Sequence, residues 1–166
     1  MKNKVFTFIA TVLAVTALDQ LSKALIMRYM HEGRSFEVVS GLFSIVHIKN
    51  PGAAFGILAR GGALRTIFLV AVSLGALVVT LALIRQAKDL LTAFALSLIA
   101  GGAIGNLIDR LRFGSVVDFL DFHIKAYHWP AFNIADSAIT AGAALAFVCY
   151  YILPNLGKKE DGPTRV

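Results

Sequence analysis

The chain is predicted to be an all-α membrane protein, with four transmembrane helices and a small β-hairpin outside the bilayer between the first two. Three observations carry that expectation. Of 166 residues 57% are hydrophobic, and the mean hydropathy is +0.73, a composition that a water-soluble domain of this size would struggle to keep off its surface. Apolar runs recur at Val5–Leu18, Ala63–Ile84, Leu90–Ile108 and Ile134–Leu153, each near the roughly 20 residues a helix needs to cross the hydrocarbon layer. Basic residues flank them at Lys2/Lys4, Arg85/Lys88 and Lys158/Lys159.

The first run is short unless Asp19 to Ile26 extend it. Its basic start and Val15-Thr16-Ala17 also fit a cleavable secretory signal, although the polar pair Asp19 and Lys23 that follows argues for a retained helix. Next, Phe36–Val39 and Leu42–Ile48 read as two short strands about a Ser40-Gly41 turn, which forms the hairpin. Asn50-Pro51-Gly52 ends the second strand as a turn, and Arg60-Gly61-Gly62 loosens the chain before the second span. Between the third and fourth spans, Asp109 to Ala131 is a second excursion on the same side, with the aromatic and polar mixture of a headgroup zone.

Residues 1–157 are expected to form a single membrane-embedded domain and 158–166 a disordered cytoplasmic tail. Four crossings put both termini on one side; Arg28, Arg34, Lys49, Arg60, Arg65, Arg110, Arg112 and Lys125 fall on the other, so a raw count of basic residues does not decide orientation. The short Arg85-Gln86-Ala87-Lys88 loop, where the positive-inside tendency holds best, points to the cytoplasm for the termini. The net charge of +6 is scattered over both faces, which suits anionic lipid headgroups and not nucleic acid. Cys149 stands alone, so no disulfide framework or cysteine-based metal site is expected.

Acids beside apolar segments ask for a reason, since one at the centre of a membrane helix costs on the order of 2.5–3.5 kcal/mol. Asp19 and Lys23 are spaced to pair on one helix face, a structural role. The Gly101 to Gly105 spacing suits close helix packing, and Asp109 near a helix C-terminus needs a cation such as Arg110 to offset the dipole. Asn133 and Asp136 have the spacing of a helix N-cap and its N3 acid. Asn50 would offer its amide to a bound peptide, with Gly52 allowing close approach. Asp118 and Asp136 fall on the same predicted side of the membrane, where they would converge. Two adjacent carboxylates do not readily both ionise, so such a pair can act as base and acid together on a water and a peptide carbonyl. Asp121 stays open, because on a strand it would point away from Asp118 and on a helix it would share its face.

Other chemistries fit less well. His31, His47, His123 and His128 show no metal-ligand spacing, and nothing matches a serine-nucleophile or phosphate-loop motif.

Five blocks, Asp19-Gln20-Leu21-Ser22-Lys23, Asn50-Pro51-Gly52-Ala53-Ala54-Phe55-Gly56, Gly101 to Arg110, Val116-Val117-Asp118-Phe119 and Phe132 to Ser137, together closely resemble the lipoprotein signal peptidase family, signal peptidase II of bacteria. The resemblance implies a multi-pass inner-membrane aspartyl endopeptidase that removes the signal peptide of prolipoproteins, cutting before a diacylglyceryl-modified cysteine near the extracytoplasmic face. It implies Asp118 and Asp136 as the catalytic dyad. Asn50, Gly52, Asn106, Arg110 and Asn133 become groups that hold substrate or dyad, and Asp19, Lys23 and Asp109 structural polar residues. The hairpin would be the family's extracytoplasmic β-cradle. No metal or organic cofactor is expected, the peptide antibiotic globomycin would inhibit, the chain would work as a monomer, and membrane lipids and the modified precursor would be its partners.

A rival reading is a transporter relaying protons or cations through Asp19, Asp118 and Asp136. It would want acids near the midplane and often an internal repeat, and neither is apparent. A non-catalytic scaffold would explain the glycines and leave the acids idle.

Overall fold

The computed structural model describes residues 2–52 and 62–156. The Ala53 to Gly56 part of the second motif and the tail from 158 lie outside the described residues. Among the described residues four helices are long and apolar enough to cross a membrane: α1 (Lys2–Tyr29), α2 (Gly62–Gln86), α3 (Leu90–Phe113), and α4 (Ile134–Phe147) continued through a π-helical stretch, Val148–Ile152, into the short α5 (Leu153–Leu156). The first apolar run is thus extended through Asp19 to Ile26 as far as Tyr29, and Asp19 and Lys23 lie inside the helix.

Helix α3 is the centre of the bundle. Of its most apolar stretch 61% is buried, against 11% for each of the other three, and it packs on α1, α2 and α4. Its small residues allow this. A Cβ on Gly101 would stand 2.8 Å from the Cβ of Val15, and one on Gly105 would stand 2.5 Å from Asp19 Oδ2, so the predicted spacing does seat α1 directly against α3. The outer faces carry Phe6, Leu13, Leu21 and Leu25 of α1 and Ile67, Val72 and Val78 of α2, all exposed, which suits a lipid solvent.

Capping sets the helix ends. Asp89 accepts from the Thr92 amide at 2.7 Å to start α3, and Gly114, in the left-handed region at φ 69°, closes it with its N–H on the Arg110 carbonyl. Asn133 starts α4 by accepting from the Asp136 amide at 2.9 Å.

The β structure is larger than a hairpin. β1 (Ser35–Val39) and β2 (Phe43–Asn50) form the expected pair, but the segment between α3 and α4 adds β3 (Val116–Ile124) and β4 (Tyr127–His128), giving an antiparallel sheet in the order β1-β2-β3-β4. β3 lies on β2 with Ile48 opposite Asp118 and Asn50 opposite Val116. Val116, Val117, Asp118 and Phe119 are buried in succession, so β3 is covered on both faces and lacks the alternation that marks a half-buried strand. A bridge between Leu120 and Phe132, with N–H to carbonyl distances of 3.0 and 2.8 Å, then folds the chain before α4 back along β3. That bridge carries Asn133 and Asp136 to Asp118.

Candidate active site

Three asparagines orient two aspartates. A primary amide has one accepting and one donating end, so whatever fixes the oxygen also aims the nitrogen. In Asn50 the oxygen accepts from the Gly52 amide at 2.8 Å, and the nitrogen donates to Asp118 Oδ2 at 2.8 Å. The Asn133 oxygen caps α4, and its nitrogen donates to Asp118 Oδ1 at 2.7 Å. The Asn106 oxygen accepts from Lys23 Nζ at 3.2 Å, and its nitrogen donates to Asp136 Oδ1 at 2.7 Å. Both oxygens of Asp118 are therefore engaged, while Asp136 Oδ2 receives no donor among the described residues.

Asp118 and Asp136 line one cavity of about 50 Å³, together with Asn50, Gly52, Asn106, Arg110 and Val116. It is a small polar recess. Asp118 is 2% exposed, whereas Asp136 and Arg110 are half-buried at its edge. Burial pushes the Asp118 carboxyl up to about 6; the amides of Asn50 and Asn133 oppose the shift and the neighbouring Asp136 charge adds to it. The N-cap spacing read from the sequence is real, yet the Asp136 carboxylate turns to Asn106.

Beneath the recess the Lys23 ammonium contacts Asp19 Oδ2 at 2.8 Å and Asp109 Oδ2 at 2.9 Å. Asp109 therefore takes its cation from α1. Arg110, expected to offset it, instead donates to Ser73 Oγ on α2 at 3.2 Å and reaches the cavity. Asp121 lies on a strand, three positions from Asp118, and pairs with His128 Nδ1 at 2.9 Å; it does not line the cavity.

Apart from Asp121, every site residue singled out from the sequence is thus in the recess or in the buried polar layer under it. Two were missed. Gln20 donates to Asp109 Oδ1 at 2.9 Å and to the Gly105 carbonyl at 3.1 Å; the available signal was that an amide inside an apolar span also needs partners. Ser73 carried no such signal, because a serine in a membrane helix ordinarily bonds its own backbone, as Ser73 also does to Leu69. Among the described residues no group of three or more metal-ligating side chains converges.

A family model described as signal peptidase (SPase) II matches residues 11–152. The chain belongs to the signal peptidase II family. It is 50% identical over 150 residues to the lipoprotein signal peptidase of Geobacter sulfurreducens, covering 89% of this chain and 93% of the relative. To that of Syntrophus aciditrophicus it is 43% identical over 151 residues, covering 89% and 94%. Two solved structures described as bacterial membrane enzymes superpose with TM-scores of 0.80 and 0.81, at 35% and 33% identity, covering 89% and 97% of this chain and 94% and 96% of theirs. Family membership and four membrane-crossing helices make the chain a multi-pass membrane protease of lipoprotein processing.

Proposed function

We propose that this member of the family is an aspartic endopeptidase that cuts prolipoproteins on the N-terminal side of the diacylglyceryl-modified cysteine, with Asp118 and Asp136 as its dyad. The observation that carries the reading is that these two carboxylates, brought from β3 and the first turn of α4, line the same recess and are each aimed by asparagine amides.

One proton is shared by the pair. The ionised member takes a proton from a water attacking the scissile carbonyl, the protonated member hydrogen-bonds the carbonyl oxygen and then protonates the leaving amine, and the shared proton is restored as the products part. Asp136 Oδ2, without a donor among the described residues and on a half-buried residue at the edge of the recess, is the oxygen proposed for that traffic. Arg110 stands beside the dyad as the cation that steadies a developing oxyanion. Asn50 and Gly52 at the opening hold the substrate backbone. The precursor's signal helix and acyl chains partition into the bilayer, so a recess at the ends of membrane helices meets both lipid and water.

The reading extends to orientation. Both termini and the Lys88 loop face the cytoplasm, the sheet and recess face the other side of the inner membrane, the chain works as a monomer without metal or organic cofactor, and globomycin competes for the recess. A transport role is less supported. Asp118 lies on a strand and Asp136 in the first turn of α4, neither midway along a span, and Asp19, inside α1, is paired with Lys23.

The test is purified protein with a diacylglyceryl-modified precursor, the products weighed by mass spectrometry. The parent should release a peptide ending at the residue before the modified cysteine, with or without a chelator. Asp118→Asn and Asp136→Asn should each lower the rate by at least about 10²–10⁴-fold. Cleavage elsewhere, or full cleavage by either variant, would remove the assignment.

A further inference from the structure

Two buried acids outside the dyad share a feature that packing alone does not require. Asp109 Oδ2 accepts from the backbone N–H of Val117 at 3.1 Å, and Val117 is the residue immediately before Asp118. Asp19 Oδ1 accepts from the backbone N–H of Ala135 at 2.9 Å, and Ala135 is the residue immediately before Asp136. The second contact spans 116 positions of sequence, so it is not a by-product of local structure. Lys23 joins the two grips, and its remaining proton goes to the oxygen of Asn106, which aims that amide at Asp136. Asp19, Lys23 and Asp109 are 0%, 1% and 1% exposed.

An ammonium has three protons, and here all three have acceptors: one carboxylate behind each dyad member and the amide that orients the second. Three desolvated charges are an expensive way to pack helices, since apolar side chains of similar volume serve stability as well or better. A rigid link between two backbone amides is something apolar packing does not supply, because contact area is non-directional and hydrogen bonds are not.

We propose that Asp19, Lys23 and Asp109 form a positioning clamp that sets the separation of the dyad, each acid holding the amide next to one catalytic aspartate and the lysine locking the acids together. The inference rests on the proposed dyad. A displacement of about 1 Å at a reacting group costs on the order of 10²-fold in rate, which is the effect expected when a grip is removed.

Asp109→Ala and Asp19→Ala each remove one grip and leave Lys23 with a single acid, a neutral pair, so neither strands an unpaired charge. Per folded molecule, each should lower kcat by about 10²-fold with KM for the diacylglyceryl-modified precursor within about 3-fold, because substrate contacts at the rim are untouched. Asp109→Asn keeps an acceptor for the Val117 amide, giving up only the contact of its other oxygen with Gln20, and should recover kcat to within about 10-fold of the parent. A role in packing alone predicts fewer folded molecules with parental kcat, and no advantage of Asn over Ala; that pattern would overturn the clamp. Amide hydrogen exchange of the unmodified protein tests the grips without any variant: slow exchange at Val117 and Ala135 is expected, and fast exchange at both would overturn them. Loss of cleavage in Asp118→Asn and Asp136→Asn alongside parental kcat in the alanine variants would sink the clamp and spare the dyad. Full cleavage in the dyad variants would sink the dyad first.

Discussion

At Asp118 both carboxylate oxygens accept from amides, whereas at Asp136 one does and the other has no donor among the described residues. The same substitution should therefore have unequal structural effects. Asp118→Asn sets a new NH2 against the NH2 of Asn50 or Asn133 and should cost about 1–3 kcal/mol. Asp136→Asn can keep its oxygen on Asn106 and turn its nitrogen to the cavity, with little change. Thermal unfolding of the two inactive variants in detergent checks this, and equal losses would contradict the oxygen-by-oxygen account. Titration gives a second prediction. Asp118 keeps its proton up to about 6 through burial, reinforced by the Asp136 charge; an infrared titration of its carboxyl should fall near that value and move lower in Asp136→Asn, which removes the repulsion. The sign for stability follows: the folded state binds this proton more tightly than the unfolded chain, so this group's contribution weakens as pH rises from about 4 to about 6 and is flat above. Spacing made much of this scale legible, as with the Asn133 cap. What spacing could not give was partner choice across distance: Lys23 meets Asn106 over 83 positions, and Asp109 takes Lys23 over its own neighbour Arg110.

Among the elements, α3 governs the site because its glycines set how near α1 and α4 come. A Cβ on Gly102 would run into the Ala135 carbonyl, one residue from Asp136. Gly102→Ala should push α4 away and lower kcat by on the order of 10²-fold. Gly75→Ala, on α2 with nothing within 4 Å of its added Cβ, should leave cleavage unchanged. The comparison separates contact from glycine's general cost in helices. At the other end of α3, Asp89→Ala removes the cap and should cost about 1 kcal/mol. The backbone N–H of Thr92 holds the Asp89 carboxyl below the usual range, so that stabilisation is present above about pH 4 and lost below it. Helices and the Asn133 cap were readable because both are local signals, whereas the Asp89 cap was not singled out. β3 was not: Asp118 is buried in the middle of four consecutive covered residues, and without a period of two the segment reads as a polar excursion.

Over the whole molecule, four hydropathic runs announced the bundle, since segment length against bilayer thickness is a property of composition. The sheet depends on pairing β2 with a strand far along the chain, with Asn50 reaching Asp118 over 68 positions, and no single-segment pattern encodes that. Orientation has its own test. In a Cys149→Ala background, Lys88→Cys in the α2–α3 loop should react with an impermeant thiol reagent only from the cytoplasmic side, and Ala126→Cys in the β3–β4 turn only from the opposite side. Labelling of both from one side would remove α3 as a span, and labelling from exchanged sides would reverse the topology. The central claim is that the two aspartates act as one unit, and groups that act as a unit lose rate non-additively. The most direct measurement is kcat/KM on the diacylglyceryl-modified precursor for Asp118→Asn, Asp136→Asn and the double variant, each corrected for folded fraction. A double variant no slower than either single one is predicted; losses that multiply would mean two independent carboxylates and contradict the account.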